Sequence, residues 1–273
     1  MTFCPSYPIR PGRGVKQVPN RVAACAAAIG GALLAGCALG ARGAAHDPHA
    51  LWLVVHDACV PDQRRLGSPS PCAEVGLAAG YAVLKDINGP TQFLLIPTAR
   101  VSGIEDPALL SPEAPNYWAE AWRARRHVER RADRPLGRDE IALAVNSAEA
   151  RTQDQLHIHI DCVRPAVRAA LRAHAGEIGA RWAPFPVPLA GDRYLARWVD
   201  GPDLAGADPF RLLAALPRAR AAMGRETLVV TGATAPDGRP GFILLAGRAD
   251  PATNDRGSGE ALQDHRCALA RPR

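Results

Sequence analysis

Polar and apolar residues alternate strictly from Gln155 to Ile160, in the order Gln-Leu-His-Ile-His-Ile. Successive side chains of a β-strand point to opposite faces of its sheet, so His157 and His159 share one face with Gln155 and the three aliphatic residues share the other. The segment therefore predicts a strand that buries its aliphatic face and presents two imidazoles and an amide on its polar face.

Two imidazoles on one strand face suit two kinds of chemistry. An imidazole is largely unprotonated near neutral pH, and a hydrogen bond to one ring nitrogen leaves the other available as a nucleophile. Histidines at this spacing can also ligate zinc, with a third ligand from His56, His127 or His265. From the pattern alone, a nucleophile, a metal site and a purely structural role all stay open.

Short apolar runs separated by turn residues surround this strand. Residues 81–86 and 92–97, joined by Ile87-Asn-Gly-Pro-Thr91, predict a hairpin. Ser111 as N-cap and Pro112 at the first position predict a helix that continues to about residue 131. Further strands are predicted at 141–145, 156–160, 193–199, 227–231 and 242–246, and helices at 165–174 and 209–223. This order predicts an α+β fold, with a mostly antiparallel sheet and helices packed on one side.

Residues 22–41 carry no charge, and every acidic residue of the chain lies after them. The basic residues that precede this segment are Arg10, Arg13, Lys16 and Arg21. This order is typical of an export signal or a single-pass anchor, and Leu34-Ala-Gly-Cys37 also resembles a lipoprotein processing site with Cys37 as the lipidated residue. We predict that residues 1–42 form a leader or anchor. Residues 43–273 are then the folded body, held at the bacterial inner membrane and facing the periplasm or the outside.

The net charge of +6 does not indicate a nucleic-acid-binding protein. Without the four basic residues of the leader, 29 of the 33 basic groups stand against all 27 acidic ones. The high isoelectric point is therefore largely a property of the leader, and we expect no nucleic-acid partner.

Four of the seven cysteines fall in the predicted body: Cys59, Cys72, Cys162 and Cys267. In an oxidising compartment they predict two disulfides, for which three connectivities exist. We favour Cys59 with Cys72, which closes a short proline-rich loop, and Cys162 with Cys267. A zinc site is the alternative, but no Cys-x-x-Cys spacing supports it.

The chain resembles the bacterial CDP-diacylglycerol pyrophosphatase family and, more distantly, the histidine-triad superfamily of nucleotidyl hydrolases and transferases. The residues that carry the likeness are Leu51-Trp, Pro71-Cys-Ala-Glu74, Gly80-Tyr-Ala-Val-Leu-Lys85, Asp86-Ile-Asn-Gly-Pro-Thr-Gln-Phe-Leu-Leu-Ile-Pro97, Arg151-Thr-Gln-Asp-Gln-Leu-His-Ile-His-Ile160 and Leu262-Gln-Asp-His-Arg-Cys267. The resemblance implies hydrolysis of CDP-diacylglycerol to CMP and phosphatidate in phospholipid metabolism, with membrane lipid as the substrate's source, a histidine-triad-like fold, and neither cofactor nor obligatory metal.

The same resemblance implies roles for individual residues. His157 matches the nucleophile, His159 the last histidine of the triad, and Asn146 an asparagine that positions the site. Gln155 stands where a full triad has its first histidine. The turn implied to face phosphate consists of Arg151, Thr152 and Gln153. Apart from the resemblance, a pyrophosphate needs donors near its oxygens, so we also predict Gln155 and Lys85 as substrate- or phosphate-binding residues. A metal-dependent phosphohydrolase and a non-catalytic binding protein for a nucleotide or anionic lipid are the alternatives, and the sequence leaves the oligomeric state open.

Overall fold

The computed structural model describes residues 47–270. Its strands are β1 (Glu74–Gly76), β2 (Tyr81–Lys85), β3 (Phe93–Pro97), β4 (Ile141–Val145), β5 (Ile158–Cys162), β6 (Ala183–Pro184), β7 (Leu195–Asp200), β8 (Glu226–Thr234) and β9 (Pro240–Arg248). Its α-helices are α1 (Ala50–Leu53), α2 (Val60–Leu66), α3 (Tyr117–Ala124), α4 (Arg126–Ala132), α5 (Pro165–Ala173), α6 (Pro209–Ala214) and α7 (Pro217–Ala221). A π-helical stretch, Val54–Cys59, joins α1 to α2, and short 3-10 turns include Gly259–Leu262.

The strands form one sheet in the order β1-β2-β3-β5-β4-β8-β9-β7-β6. All neighbouring strands pair antiparallel. This architecture confirms the predicted α+β class with an antiparallel sheet. The finer likeness to the histidine-triad fold stays a prediction.

The hairpin predicted from residues 81–97 is present, since β2 and β3 pair from Tyr81 opposite Pro97 to Lys85 opposite Phe93. The helix predicted to start at Ser111 begins later. Asn116 is its N-cap and accepts a hydrogen bond from the backbone N–H of Ala119 at 3.1 Å. An asparagine nearer the apolar run thus provides the cap that the serine was predicted to provide.

The prediction of helices on one side of the sheet is wrong, because both faces are covered. On one face, Trp118 and Trp122 of α3 pack with Phe210 of α6 over alternate strand residues such as Leu143 and Ile160. On the other face, α5 packs over β4, β8 and β9, while the segment 50–66 packs over β2 and β3. Both faces need cover because β2, β3, β4, β8 and β9 bury apolar side chains on both sides of the sheet.

The two favoured disulfides are present. Cys59 and Cys72 have Cα atoms 5.6 Å apart, and Cys162 and Cys267 have Cα atoms 5.2 Å apart. The first disulfide fastens the helical segment 50–66 beside β1, and the second fastens the C-terminal segment to the end of β5.

The predicted localisation as a single-pass inner-membrane protein is contradicted. Within residues 47–270, no helix has the length and apolar composition needed to cross a bilayer. The longest continuous helical stretch there, residues 50–66, carries Asp57, Asp62, Arg64 and Arg65. The segment 22–41 and Cys37, on which the anchor and leader predictions rested, lie outside the described residues.

Candidate active site

The two histidines lie at the middle of the sheet, on the face that α5 and the segment 50–66 cover only in part. His159 belongs to β5, where it lies opposite Leu94 of β3 and Ala144 of β4. His157 immediately precedes β5. Their ring centroids are 4.7 Å apart. The alternation read from the sequence therefore places both rings on one face, as predicted.

Both rings line a cavity of about 390 Å³ between the segment 50–66, the β2–β3 hairpin and the C-terminal segment. Its apolar lining consists of Ala50, Leu51, Val54, Leu84, Ile87, Leu94 and Ala150. Its polar lining consists of Lys85, Asp86, Asn88, Asn146, Thr152, Gln153, His157, His159 and Glu260. The lining thus combines apolar and polar side chains, which suits an amphiphilic ligand.

A backbone contact fixes the tautomer of His157. Its Nδ1 lies 2.8 Å from the carbonyl oxygen of Gln155. A carbonyl only accepts hydrogen bonds, so Nδ1 carries the proton and the lone pair lies on Nε2. Burial lowers the pKa of His157, while the contact with Gln155 and the carboxylates of Glu260 and Asp86 oppose the shift. The neutral form of the side chain, with its lone pair on Nε2, is therefore favoured at neutral pH.

His159 is buried among polar groups. Its Nδ1 lies 3.1 Å from Oε1 of Glu260 and 2.9 Å from Nε2 of Gln92, and its Nε2 lies 3.5 Å from Nδ2 of Asn146. Burial is the main cause that holds the pKa of His159 well below its usual value, and the neighbouring His157 and His265 lower it further. The structure thus brings three predicted residues together, with His159 between His157 and Asn146.

Sequence reasoning missed Glu260. Its Oε2 accepts a hydrogen bond from Nδ2 of Asn146 at 2.7 Å, and its Oε1 accepts one from Nε2 of Gln92 at 3.0 Å. The same oxygen lies 3.8 Å from Nε2 of His265, whose Nδ1 donates to the buried Asp161 at 2.9 Å. The sequence feature that could have indicated it is the favoured pairing of Cys162 with Cys267, which brings the C-terminal segment close to β5.

Gln155 and Gln153 are placed close to the histidines, but their hydrogen bonds are directed to the backbone. Nε2 of the fully buried Gln155 donates to the carbonyl oxygens of Pro97 and Ala99, at 3.1 and 2.9 Å. Gln153 accepts from the backbone N–H of Leu51 at 2.9 Å. Gln155 thus positions His157 through its own carbonyl, and Gln153 ties α1 to the turn before the histidines.

The cations predicted to face phosphate are already engaged. Nζ of Lys85 lines the cavity but donates to two carbonyl oxygens of its own hairpin, one of them that of Gly89 at 2.9 Å. The guanidinium of Arg151 donates to Glu105 at 2.6 Å and to Asp154 at 3.2 Å. Thr152 is exposed and lines the cavity. Lys85 and Thr152 line the main cavity, whereas Arg151 lines only a small void beside His157 and Asn146.

The zinc alternative finds no ligand set in the part of the chain that the structure describes. There, no three side chains of His, Cys, Asp or Glu converge in a way that could hold a metal ion. The proposed third ligands are bonded elsewhere: His127 to Glu74, His56 to Asp57 and His265 to Asp161.

Comparison with known proteins shows the family of this chain. A family model described as CDP-diacylglycerol pyrophosphatase matches residues 46–271. A curated protein from Yersinia pestis named CDP-diacylglycerol pyrophosphatase is 46% identical over 221 residues, which cover 81% of this chain and 84% of that protein. The matched region contains the described sheet, the cavity and both disulfides. The chain therefore belongs to the CDP-diacylglycerol pyrophosphatase family.

Proposed function

We propose that this protein hydrolyses CDP-diacylglycerol to CMP and phosphatidate, and that His157 is the nucleophile. The observation that carries the mechanism is the contact between Nδ1 of His157 and the carbonyl oxygen of Gln155, at 2.8 Å. It leaves the lone pair on Nε2 of a ring that lines the cavity. Family membership and the 46% identity to the Yersinia pestis protein support the substrate.

In the first step, the lone pair on Nε2 of His157 attacks the phosphorus atom on the CMP side. A P–N bond forms, the P–O bond of the pyrophosphate breaks, and phosphatidate leaves with the electron pair. In the second step, water attacks the same phosphorus atom and the P–N bond breaks. The electron pair returns to Nε2, the water oxygen stays on CMP, and the water proton goes to solvent.

Charge changes on the phosphate oxygens during these steps, and the polar residues that line the cavity are the groups available to stabilise it. We assign His159 and Asn146 to the phosphate oxygens, since both side chains line the cavity beside His157. Thr152 contributes from the turn before the histidines. Lys85 and Arg151 contribute mainly through their field, because their donors are already bonded.

The apolar residues of the lining are suited to the first carbons of the diacylglycerol group. Leu51 and Val54 come from the segment 50–66, and Leu84 and Leu94 come from the β2–β3 hairpin. A cavity that offers both apolar and polar side chains supports a substrate with a nucleotide at one end and a lipid at the other.

The test is CMP release by the full-length protein from CDP-diacylglycerol in detergent micelles, run in ¹⁸O-water with and without EDTA. We expect CMP and phosphatidate in equal amounts, no effect of EDTA, and ¹⁸O in CMP. Loss of activity with EDTA would indicate a metal-dependent phosphohydrolase, and ¹⁸O in phosphatidate would place the attack on the other phosphorus atom. Binding without any release would indicate a binding protein.

The acid limb of kcat/KM is expected below pH 6.5. His157 must be unprotonated to attack, and its burial lowers its pKa, so the neutral form persists as the pH falls. The charged or titratable neighbours are Glu260 and Asp86, which oppose the shift, Arg151, which adds to it, and His159. A pH–rate profile of CMP release checks this. An acid limb centred at or above pH 6.5, with the protein still folded by circular dichroism, would contradict it.

A further inference from the structure

Glu260 stands at the junction of the predicted site residues without being one of them. Its carboxylate contacts His159 through Oε1, at 3.1 Å, and Asn146 through Oε2, at 2.7 Å. It lies in the 3-10 turn Gly259–Leu262, and its side chain is 22% exposed, on the cavity side. One carboxylate thus bridges two groups that come from different strands.

The bridge is held from both ends. Oδ1 of Asn146 accepts a hydrogen bond from the backbone N–H of Gly259 at 2.8 Å, so its amide group must direct Nδ2 toward Glu260. Gly259 itself is closely packed, because a Cβ atom there would lie 2.9 Å from Oγ1 of Thr227. The turn that carries Glu260 therefore has little freedom to move away from Asn146.

Glu260 also orients Gln92, the other amide beside His159. Nε2 of Gln92 donates to Oε1 of Glu260 at 3.0 Å and lies 2.9 Å from Nδ1 of His159. Oε1 of Gln92 is buried with no hydrogen-bond partner among the described residues. Since this amide directs Nε2 to the carboxylate while its own oxygen has no donor, Glu260 sets its orientation.

We propose that Glu260 is the positioning residue of this active site: it orients the side-chain amides of Asn146 and Gln92 beside the two ring nitrogens of His159. This inference rests on the proposed function for its catalytic consequence but not for the hydrogen bonds themselves. Nδ2 of Asn146 lies 3.5 Å from Nε2 of His159, and Nε2 of Gln92 lies 2.9 Å from Nδ1. The two amides therefore fix the ring of His159 beside that of His157.

Glu260→Gln tests the bridge because a carboxamide cannot replace it. The variant has one acceptor oxygen, so in either orientation its NH₂ group faces a donor of Asn146 or of Gln92. Asp86→Asn is the matched control, since it removes a carboxylate from the same cavity while Oδ1 can still accept from the backbone N–H of Asn88. We expect kcat of Glu260→Gln to fall roughly 10- to 100-fold below that of Asp86→Asn, the usual loss when the outer hydrogen-bond partner of a working imidazole is removed.

The environment of His159 is measured by ¹⁵N NMR of labelled histidines, with His159→Asn to assign the signals. The ring signals of His159 are expected to shift in Glu260→Gln and to keep their wild-type positions in Asp86→Asn. Unchanged signals in Glu260→Gln, or equal kcat in the two carboxylate variants, would overturn the proposal; Glu260→Asp, whose shorter side chain also loses these contacts, gives the same comparison if Glu260→Gln fails to fold. A protein whose His159 signals respond in this way but that releases no CMP would instead count against the proposed function.

Discussion

Replacing His157 by alanine is expected to lower CMP release from CDP-diacylglycerol by at least about a thousandfold, because the covalent route loses its nucleophile. His174→Ala is the matched control. His174 is a partly exposed histidine that pairs with Glu177 and lies outside the cavity. Its replacement is expected to leave the rate near that of the wild type.

The variant must also be shown to fold. Removing the ring leaves the carbonyl oxygen of Gln155 without the donor that it has in the wild type, which costs about 1–3 kcal/mol. Thermal unfolding of the two histidine variants therefore accompanies the assay. A folded His157→Ala protein that keeps a tenth or more of the wild-type rate would rule out His157 as the nucleophile.

Loss of activity alone does not separate a nucleophile from a general base. Substrate that carries ³²P in the CMP phosphate makes the distinction, since only a nucleophile becomes labelled. We expect label on the wild-type protein after an alkaline quench, its release by acid, and none on His157→Ala. An active wild-type protein that never carries label would show that water attacks directly and that His157 acts as a base.

The local pattern of the sequence was enough to predict the face on which the histidines lie. In a sheet, strict alternation from Gln155 to Ile160 places the aliphatic residues on one face and the histidines on the other, and the structure shows this arrangement. The helical segment 50–66 was not predicted. The segment between Cys59 and Cys72 was predicted as a proline-rich loop, but it is helical as far as Leu66. Pro61, which removes one N–H from this continuous helical stretch, lies just after the π-helical turn Val54–Cys59.

Contacts between distant segments limited the prediction of the site. Lys85 and Arg151 have the charge that a phosphate needs, but a sequence does not show that a carbonyl or a carboxylate already occupies their donors. Glu260 is far from His159 along the chain, and neither residue predicts the other. The sequence joins the two regions through the predicted disulfide between Cys162 and Cys267, which was a favoured pairing among three.

That disulfide is expected to contribute more stability than the other. It closes a loop of 105 residues, against 13 for Cys59 and Cys72. Loop-closure entropy predicts about 4.7 kcal/mol for a loop of roughly 100 residues and about 3 kcal/mol for one of roughly 15. All four sulfur atoms belong to buried residues, so replacing either pair by alanine removes a similar contact surface. The difference between the two double variants therefore reports mainly on the loops.

Urea unfolding of the oxidised wild type and of both double variants measures this difference, and the assay of CMP release adds a second expectation. The C-terminal segment carries Glu260 and His265, and backbone hydrogen bonds such as that from Asp264 to Cys162, at 2.8 Å, fasten it to the end of β5. Loosening it by removing Cys162 and Cys267 should lower kcat even where the protein remains folded. If the variant lacking Cys59 and Cys72 loses as much stability, loop entropy does not control these disulfides. If the variant lacking Cys162 and Cys267 keeps full activity, the hydrogen bonds alone hold Glu260 against His159.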